Sequence, residues 1–247
     1  MTMPRTVGVE TLDQLEEADP RAVQSRHDLR RIHRAMGTRT ILRRALKDMV
    51  RHRREASPLR VLELGAGDGS LMLGVAQAIA AQFPKVELTL LDAQDLVNRS
   101  TITRFAGAGW AAQAKVADAL DWAQNDNDTF KKPGSPARWD LVVVNLFLHH
   151  FEGARLAALL GAISARSNRF FACEPRRAWL PLVASHLVGA IGANEVTRED
   201  AVLSVKAGFN EREITALWPQ QGAQWQLKEY PAGLFSHCFR AERVGVK

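Results

Sequence analysis

Residues Leu59 to Leu64 form a mostly apolar run that ends in three alternate glycines, Gly65, Gly67 and Gly69, before the amphipathic stretch Leu71 to Ala81. This order reads as strand, tight turn, helix. Glycine is needed where the backbone takes positive φ or approaches a ligand closely. A helix that starts after such a turn presents free N–H groups. The chain is therefore expected to lay a nucleotide-like ligand across the carboxyl end of a first parallel strand.

The spacing narrows the ligand. A dinucleotide fingerprint places its third glycine five positions after the first, where this chain has Ser70. Glu63 stands just upstream of Gly65. A buried carboxylate is costly unless paired, and a cationic amino group would offset that cost where a pyrophosphate would be repelled. The local charge favours an amino-acid-bearing ligand over NAD.

The pattern Glu63-x-Gly65-x-Gly67-x-Gly69 resembles the first motif of class I S-adenosylmethionine-dependent methyltransferases. Further segments extend the likeness in order. Val86 to Leu91 ends in Asp92, where that family uses an acid to accept the ribose hydroxyls, a role suited to an acceptor-only group. Ala117-Asp118-Ala119-Leu120 resembles the loop that holds the adenine. Trp139 to Leu146 resembles the fourth strand, whose end lies beside the methyl group. Together these motifs span about residues 58 to 175. The resemblance implies S-adenosyl-L-methionine as cofactor, with contacts from Glu63, Gly65, Ala66, Gly67, Asp68, Gly69, Asp92, Ala93, Asp118, Ala119, Asn145 and Leu146. Plainer structural roles stay open beside these: Asp118 suits a helix N-cap, and Asp92 suits the opening of a turn.

Leu146-Phe147-Leu148-His149-His150-Phe151 resembles the L-H-x-W segment of small-molecule O-methyltransferases, in which the histidine is the base. His149 takes that position, His150 is the second candidate, and Phe151 stands in place of the tryptophan. A base is needed only if a hydroxyl proton must leave as the new bond forms. One of the two histidines could equally serve as a helix cap. Asn145 lacks the Pro-Pro-aromatic continuation of amino-methylating enzymes. No His/Asp/Glu cluster with metal-ligand spacing appears, so no metal is expected. Phe147, Trp179 and Phe209 are candidates for an aromatic substrate pocket, and Arg176 and Arg177 for meeting an anion.

The net charge of +6 is local. Residues 26–54 hold eleven Lys/Arg and two Asp, a segment charge of +9, which leaves −3 elsewhere. Apolar residues recur there at helical spacing, from Leu29 and Ile32 to Met49 and Val50, so the arginines belong to the solvated face of one or two amphipathic helices. No aromatic side chain interrupts the block, and a stacking platform for single-stranded nucleic acid is missing. Nucleic acid is thus a disfavoured but open partner. Two cysteines suit a reducing compartment, Cys173 reads as a small buried hydrophobe, and no apolar leader core or bilayer-length run appears. A cytoplasmic protein with no membrane partner is expected, and a homodimer is compatible with these features.

Strands are expected at 59–64, 86–91, 113–117, 139–145 and 169–174. Helices are expected at 70–82, 94–106, 119–125 and 153–166, with a turn-rich surface loop at 125–137. A long helix over 177–192, a short one near 210–218 opened by an Asn210/Glu213 capping box, and a hairpin of 224–230 with 235–242 complete the reading. The fold class is α/β: a Rossmann-like, mostly parallel seven-stranded sheet with helices on both faces, the last strand antiparallel, and added N-terminal helices. Residues 1–57 read as a basic, helical, substrate-side segment with a partly ordered lead-in over 1–20, and 58–247 as the cofactor-binding domain. The expected activity is methyl transfer, preferably to oxygen, on a small phenolic or polyketide-like metabolite. Rival readings are an RNA or protein methyltransferase and a non-catalytic cofactor-binding protein.

Overall fold

The computed structural model describes residues 3–51, 57–80, 83, 85–124, 138–219 and 224–245; the turn-rich stretch 125–137 lies outside them. The helices among these residues are, in chain order, α1 (Thr11–Gln14), α2 (Pro20–Met36), α3 (Thr38–Val50), α4 (Ser70–Ile79), α5 (Arg99–Gly107), α6 (Ala119–Gln124), α7 (Gly153–Arg166), α8 (Trp179–His186), α9 (Glu195–Ala207) and α10 (Glu213–Leu217). The strands are β1 (Leu59–Leu64), β2 (Val86–Asp92), β3 (Trp110–Val116), β4 (Leu141–Asn145), β5 (Arg169–Pro175), β6 (Trp225–Ala232) and β7 (Ser236–Arg243).

These strands form one sheet in the order β3-β2-β1-β4-β5-β7-β6. The first five run parallel. β7 enters antiparallel between β5 and β6, so the expected hairpin forms and its second strand lies inside the sheet. Strand order reverses between β1 and β4, and the crevice at their carboxyl ends is the switch point where such sheets bind ligands.

Burial explains the layers. β1, β4 and β5 are buried along their whole lengths, as parallel strands covered on both faces must be. Alternate side chains separate into two cores. Leu59 and Val61 pack with Leu42, Leu46 and Met49 of α3 and with Met72 and Val75 of α4. Leu62 and Leu64 pack with Val142, Val144 and the Leu156, Leu160 and Ile163 stripe of α7. Because α3 shares the first core, the boundary expected at residue 57 does not separate two packing units.

The basic segment becomes two helices because Gly37, at φ 69°, takes a left-handed conformation between them. Asp19 caps α2 by accepting the Arg21 N–H, and Pro20 occupies the first turn. The single helix expected over 177–192 is shorter: α8 ends at His186 and a 3-10 turn, Val188–Ile191, follows before the left-handed Gly192. Sequence reading missed α9, although Asn194 caps it by accepting the Thr197 N–H at 2.8 Å. The capping box before α10 is half formed. Glu213 accepts the Asn210 N–H at 3.0 Å, while Asn210 Oδ1 turns to the Glu211 N–H.

Candidate active site

A cavity of about 1000 Å³ opens at the carboxyl ends of β1, β2 and β4. Glu63, Gly65, Ala66, Gly67, Asp68, Asp92, Ala93, Asp118, Ala119, Asn145 and Leu146 line it at the strand ends, and His149, His150, the N-terminal segment, α2, α8 and α9 complete its wall, with Arg30 of α2 reaching Asp68. Of the residues expected to hold the cofactor or to act as base, Gly69 alone falls outside this lining. A Cβ there would meet Leu90 at 3.2 Å and Thr101 at 3.3 Å, so Gly69 serves the packing of α4 and α5 against the sheet. Gly65 and Gly67 also have positive φ, 68° and 55°, a conformation that is costly for any side chain with a Cβ.

The cofactor end is assembled around three acids. Asp92 accepts the Gly67 N–H at 2.8 Å and the Gln94 N–H at 3.0 Å, which ties the glycine turn to the end of β2. Burial raises its pKa, and these backbone hydrogen bonds oppose the rise. Asp68 accepts the Ser70 N–H and pairs with Arg30 of α2 at 3.0 Å. Glu63 is 3% exposed, and its Oε2 has no hydrogen-bond partner among the described residues. Burial, aided by the charges of Asp92 and Asp68, pushes its pKa up to about 8. The buried Asn145 Oδ1 is likewise unpartnered. These acceptors sit around a turn with room for a ligand, and a cationic amino-acid group with donor hydrogens fits them. Asp118 accepts the Leu120 and Asp121 N–H groups through Oδ1, so it does cap α6, as its plainer reading held, while still lining the cavity.

The second end is organised by a residue that sequence reading missed. Leu146 follows β4 at φ 50°, a strained geometry for a non-glycine residue. The turn that it starts delivers three backbone N–H groups, from Phe147, Leu148 and His149, to the fully buried Glu174 carboxylate at 3.0–3.3 Å. Glu174 Oε2 also faces His149 Nδ1 at 2.9 Å. On the other side of the ring, His149 Nε2 meets Glu10 Oε1 at 3.2 Å. Burial would lower the His149 pKa, but hydrogen bonding and attraction from Glu10 and Glu174 outweigh it and hold the ring at about 9. Burial likewise acts to raise Glu10, and His149, His150 and Ser204 bring it below the usual carboxylate range. Both ring nitrogens of His149 are engaged by acids, and in this arrangement the ring carries its proton at neutral pH. His150 is partly exposed and sets Nδ1 against Asp13 Oδ2 at 3.1 Å. Donor atoms of Glu10, His149 and His150 lie within 4.8 Å of one another, a grouping that no sequence spacing announced.

The N-terminal lead-in is therefore a built part of the site. Arg5 donates to the backbone carbonyls of Ala207, His149 and Phe151 at 2.7–3.3 Å and lies 4.5 Å over the Phe209 ring. Asp200 of α9 accepts the Thr11 and Leu12 N–H groups. Arg177, considered for an anion, is instead buried against Glu213, Gly208 O and Met3 O. Of the three aromatic candidates, Phe147 and its neighbour Phe151 line the cavity. Phe209 is packed in the core beneath Arg5, and Trp179 is 77% exposed. The sign of Glu174 was available, since it is a charge within an otherwise apolar strand. Glu10 had none, lying 139 residues from its partner.

A family profile described as lysine methyltransferase matches residues 34–178. No curated protein matches the chain in sequence. Among solved structures, the plantazolicin methyltransferase BpumL, in complex with a pentazolic desmethylPZN analog and SAH, superposes with a TM-score of 0.60 at 13% identity, over 91% of this chain and 92% of that one. The magnesium protoporphyrin IX methyltransferase of Synechocystis PCC 6803 superposes with a TM-score of 0.52 at 14% identity, over 87% and 92%. At such identities the likeness speaks for the fold alone. The chain belongs to the lysine methyltransferase family and is an S-adenosylmethionine-dependent methyltransferase of the class I fold.

Proposed function

We propose that the protein methylates a small, largely apolar acceptor bearing a hydroxyl group, a phenolic or polyketide-like metabolite. The observation that carries this reading is the far half of the cavity. Leu29, Ile32 and Met36 of α2, Val188 and Ile191 beyond α8, and the segment Val7 to Glu10 surround it. The total volume, about 1000 Å³, stands at the upper end of the roughly 300–1,000 Å³ of ordinary ligand pockets. It leaves space for a second ligand beside a nucleoside. The two structural neighbours are named for acting on plantazolicin and on magnesium protoporphyrin IX, which agrees with a non-protein acceptor.

When bound, S-adenosylmethionine supplies a methyl group on a positively charged sulfur, already a good leaving group. The residues that would hold it are Glu63, through its unpartnered Oε2, with Gly65, Ala66, Gly67, Asp68, Asp92, Ala93, Asp118, Ala119, Asn145 and Leu146 around it. The chain's remaining work is to orient the acceptor oxygen, exclude water and take its proton. His149 is a poor base while clamped between two carboxylates, and we assign it the role of fixing the turn. His150, oriented by Asp13 through Nδ1, is the better candidate to receive the hydroxyl proton, in the manner of an acid-oriented imidazole. Residues 1–57 serve the acceptor together with His149, His150, α8 and α9, and the glycine turn and strand ends of 58–247 serve the cofactor.

The family's description supports a second reading, a lysine amine of a protein as acceptor, and the acids Glu10 and Asp13 would suit an ammonium. Incubating the enzyme with radiolabelled donor and either phenolic metabolites or a protein lysate separates the two. Label in small organic products, with His150→Gln lowering turnover and sparing cofactor affinity, is the expected result. Label in lysine side chains, or full turnover by the variant, would overturn the acceptor class or the base respectively.

A further inference from the structure

The surface beyond the cavity carries a feature that methyl transfer does not use. Along α8 and the following 3-10 turn, Trp179, Leu180, Val183, Leu187 and Ile191 are exposed by 77, 50, 37, 63 and 48%. Trp179, Leu180 and Val183 share one face of α8, and Leu187 and Ile191 continue the exposed patch past its end. Exposed apolar residues are ordinary when scattered, whereas a continuous stripe marks a contact surface. Trp179, Leu180 and Val183 are absent from the cavity lining, Pro181, Ala184, Ser185 and Val188 belong to it, and the exposed Leu187 and Ile191 stand at its rim, counted in both. On α8 itself Trp179, Leu180 and Val183 thus look outward while Pro181, Ala184 and Ser185 wall the chamber.

The charges around the stripe are of one dominant sign. Residues 175–194 contain no acid and two arginines, of which Arg177 is buried against Glu213; residues 20–36 contain five arginines and one acid, Asp28, with Arg21 paired to Asp19 and Arg30 to Asp68. Asp28 is buried and paired with Arg31. The two segments touch, since Arg31 donates to Ile191 O at 3.1 Å and to Gly192 O at 3.3 Å. Exposed Arg34 extends the same helix, and the Arg198 side chain lies against Gly189. The exposed acids Glu195 and Glu199 come after the stripe, on α9. A short apolar helix with an indole at its start, flanked by guanidinium groups, is the composition of an interfacial helix on an anionic bilayer. A nucleic-acid partner would use the arginines and leave the apolar stripe without a role. No helix among the described residues is long and apolar enough to cross a membrane, so attachment through this face would be peripheral.

We propose that the α8 face is a docking surface for anionic phospholipid membranes. It seats Trp179, Leu180, Val183 and Leu187 at the level of the headgroups, with the α2 arginines against the phosphates. The proposal departs from the sequence-based expectation of no membrane partner. Docking does not depend on which acceptor is methylated. If the acceptor is the apolar metabolite proposed above, a ligand dissolved in the bilayer would meet the chamber across α8; that consequence, and it alone, rests on the functional reading.

Flotation with vesicles of phosphatidylcholine containing roughly a third phosphatidylglycerol tests the surface. The wild-type protein should float with these vesicles, less with pure phosphatidylcholine, and less at high salt. Trp179→Ser/Val183→Ser, which changes no cavity-lining residue, should lower partitioning about tenfold or more with an unchanged melting temperature and cofactor affinity. Of the six tryptophans Trp179 is the most exposed to solvent, so the emission should shift to the blue on vesicle binding and not in the variant. A wild-type protein that stays in solution, or a double variant that floats as well, would overturn the proposal. So would a concentration-dependent dimer that the double variant dissociates, which would assign the stripe to a second copy of the chain. A failed acceptor screen with intact flotation would count against the functional reading alone.

Discussion

Glu63 offers a direct test of how the glycine turn recognises its ligand. The carboxyl is buried, faces Asp92 and Asp68, and has a pKa of about 8 against a reference of 4.5. At pH 7 it is therefore mostly protonated in the folded, ligand-free protein, and ionised once unfolded. The sign follows: an acid whose folded pKa is raised binds its proton more tightly when folded, so stability falls as pH rises from about 4.5 to about 8 and then levels. Near neutrality the accumulated cost is about 3 kcal/mol. An ammonium group arriving beside the carboxyl reverses the preference and favours the ionised form. Titration with S-adenosylhomocysteine at pH 7, in two buffers of unlike ionisation enthalpy, should therefore report release of about one proton per site, fading by about pH 9. Glu63→Gln should abolish that release and weaken binding by about 1.5–3 kcal/mol, the range for a charged hydrogen bond. The same variant should flatten the fall in melting temperature between pH 5 and about pH 8. Proton release that is absent from the wild type, or identical in the variant, would refute the idea that Glu63 is poised for a cation.

Three other outcomes follow from the site. Asp92→Ala removes the acceptor that ties Gly67 N–H and Gln94 N–H to β2; it should lower unfolding stability and cofactor affinity by about 1–3 kcal/mol each, read by urea melts and calorimetry. The His149 imidazole, followed by NMR, should titrate near 9; a midpoint near the ordinary value would remove the double ion pair. By linkage its stabilising contribution is complete below about pH 6.5 and is lost as pH rises through 9. Gly65→Ala would place a Cβ 2.4 Å from the Phe147 ring at positive φ; it should cost about 1–2 kcal/mol or more in stability and displace Phe147. A melting temperature equal to wild type would contradict that crowding.

The cofactor half was legible because its information is local. Strand, glycines and helix follow one another within about twenty residues, and Glu63 and Asp92 announce themselves as acids ending apolar runs. Gly69 shows the limit of reading a motif residue by residue: it belongs to the pattern, yet its bare Cα faces Leu90 and Thr101. Helix α9 was missed because its apolar positions are sparse and its partners, Asp28 and Ser25 on α2, are more than 160 residues away. Trp179 was misassigned because an aromatic residue after the fifth strand reads equally as a pocket wall or a surface anchor, and only burial separates them.

In the acceptor half His149 and His150 were legible but their acid partners were not, for a related reason, and this bears on how the enzyme can change. Its polar end is assembled from Glu10 near the amino terminus, His149 and His150 after β4, Glu174 at the end of β5 and Ser204 on α9. Glu174 does the structural share, since four donors converge on its two oxygens and hold the strained turn after Leu146 in position. Glu10 is differently placed: it arrives on a segment held by Arg5, by Asp200 and by its own contact with His149. Removing Glu174 strips four donors inside the core, whereas removing Glu10 frees one imidazole nitrogen beside the acceptor chamber. Glu174→Gln should therefore act on folding, and Glu10→Gln on the His149 pKa and on turnover with S-adenosylhomocysteine affinity intact. If both variants damaged cofactor binding alike, the two halves of the cavity would be one energetic unit and this division between them would be wrong.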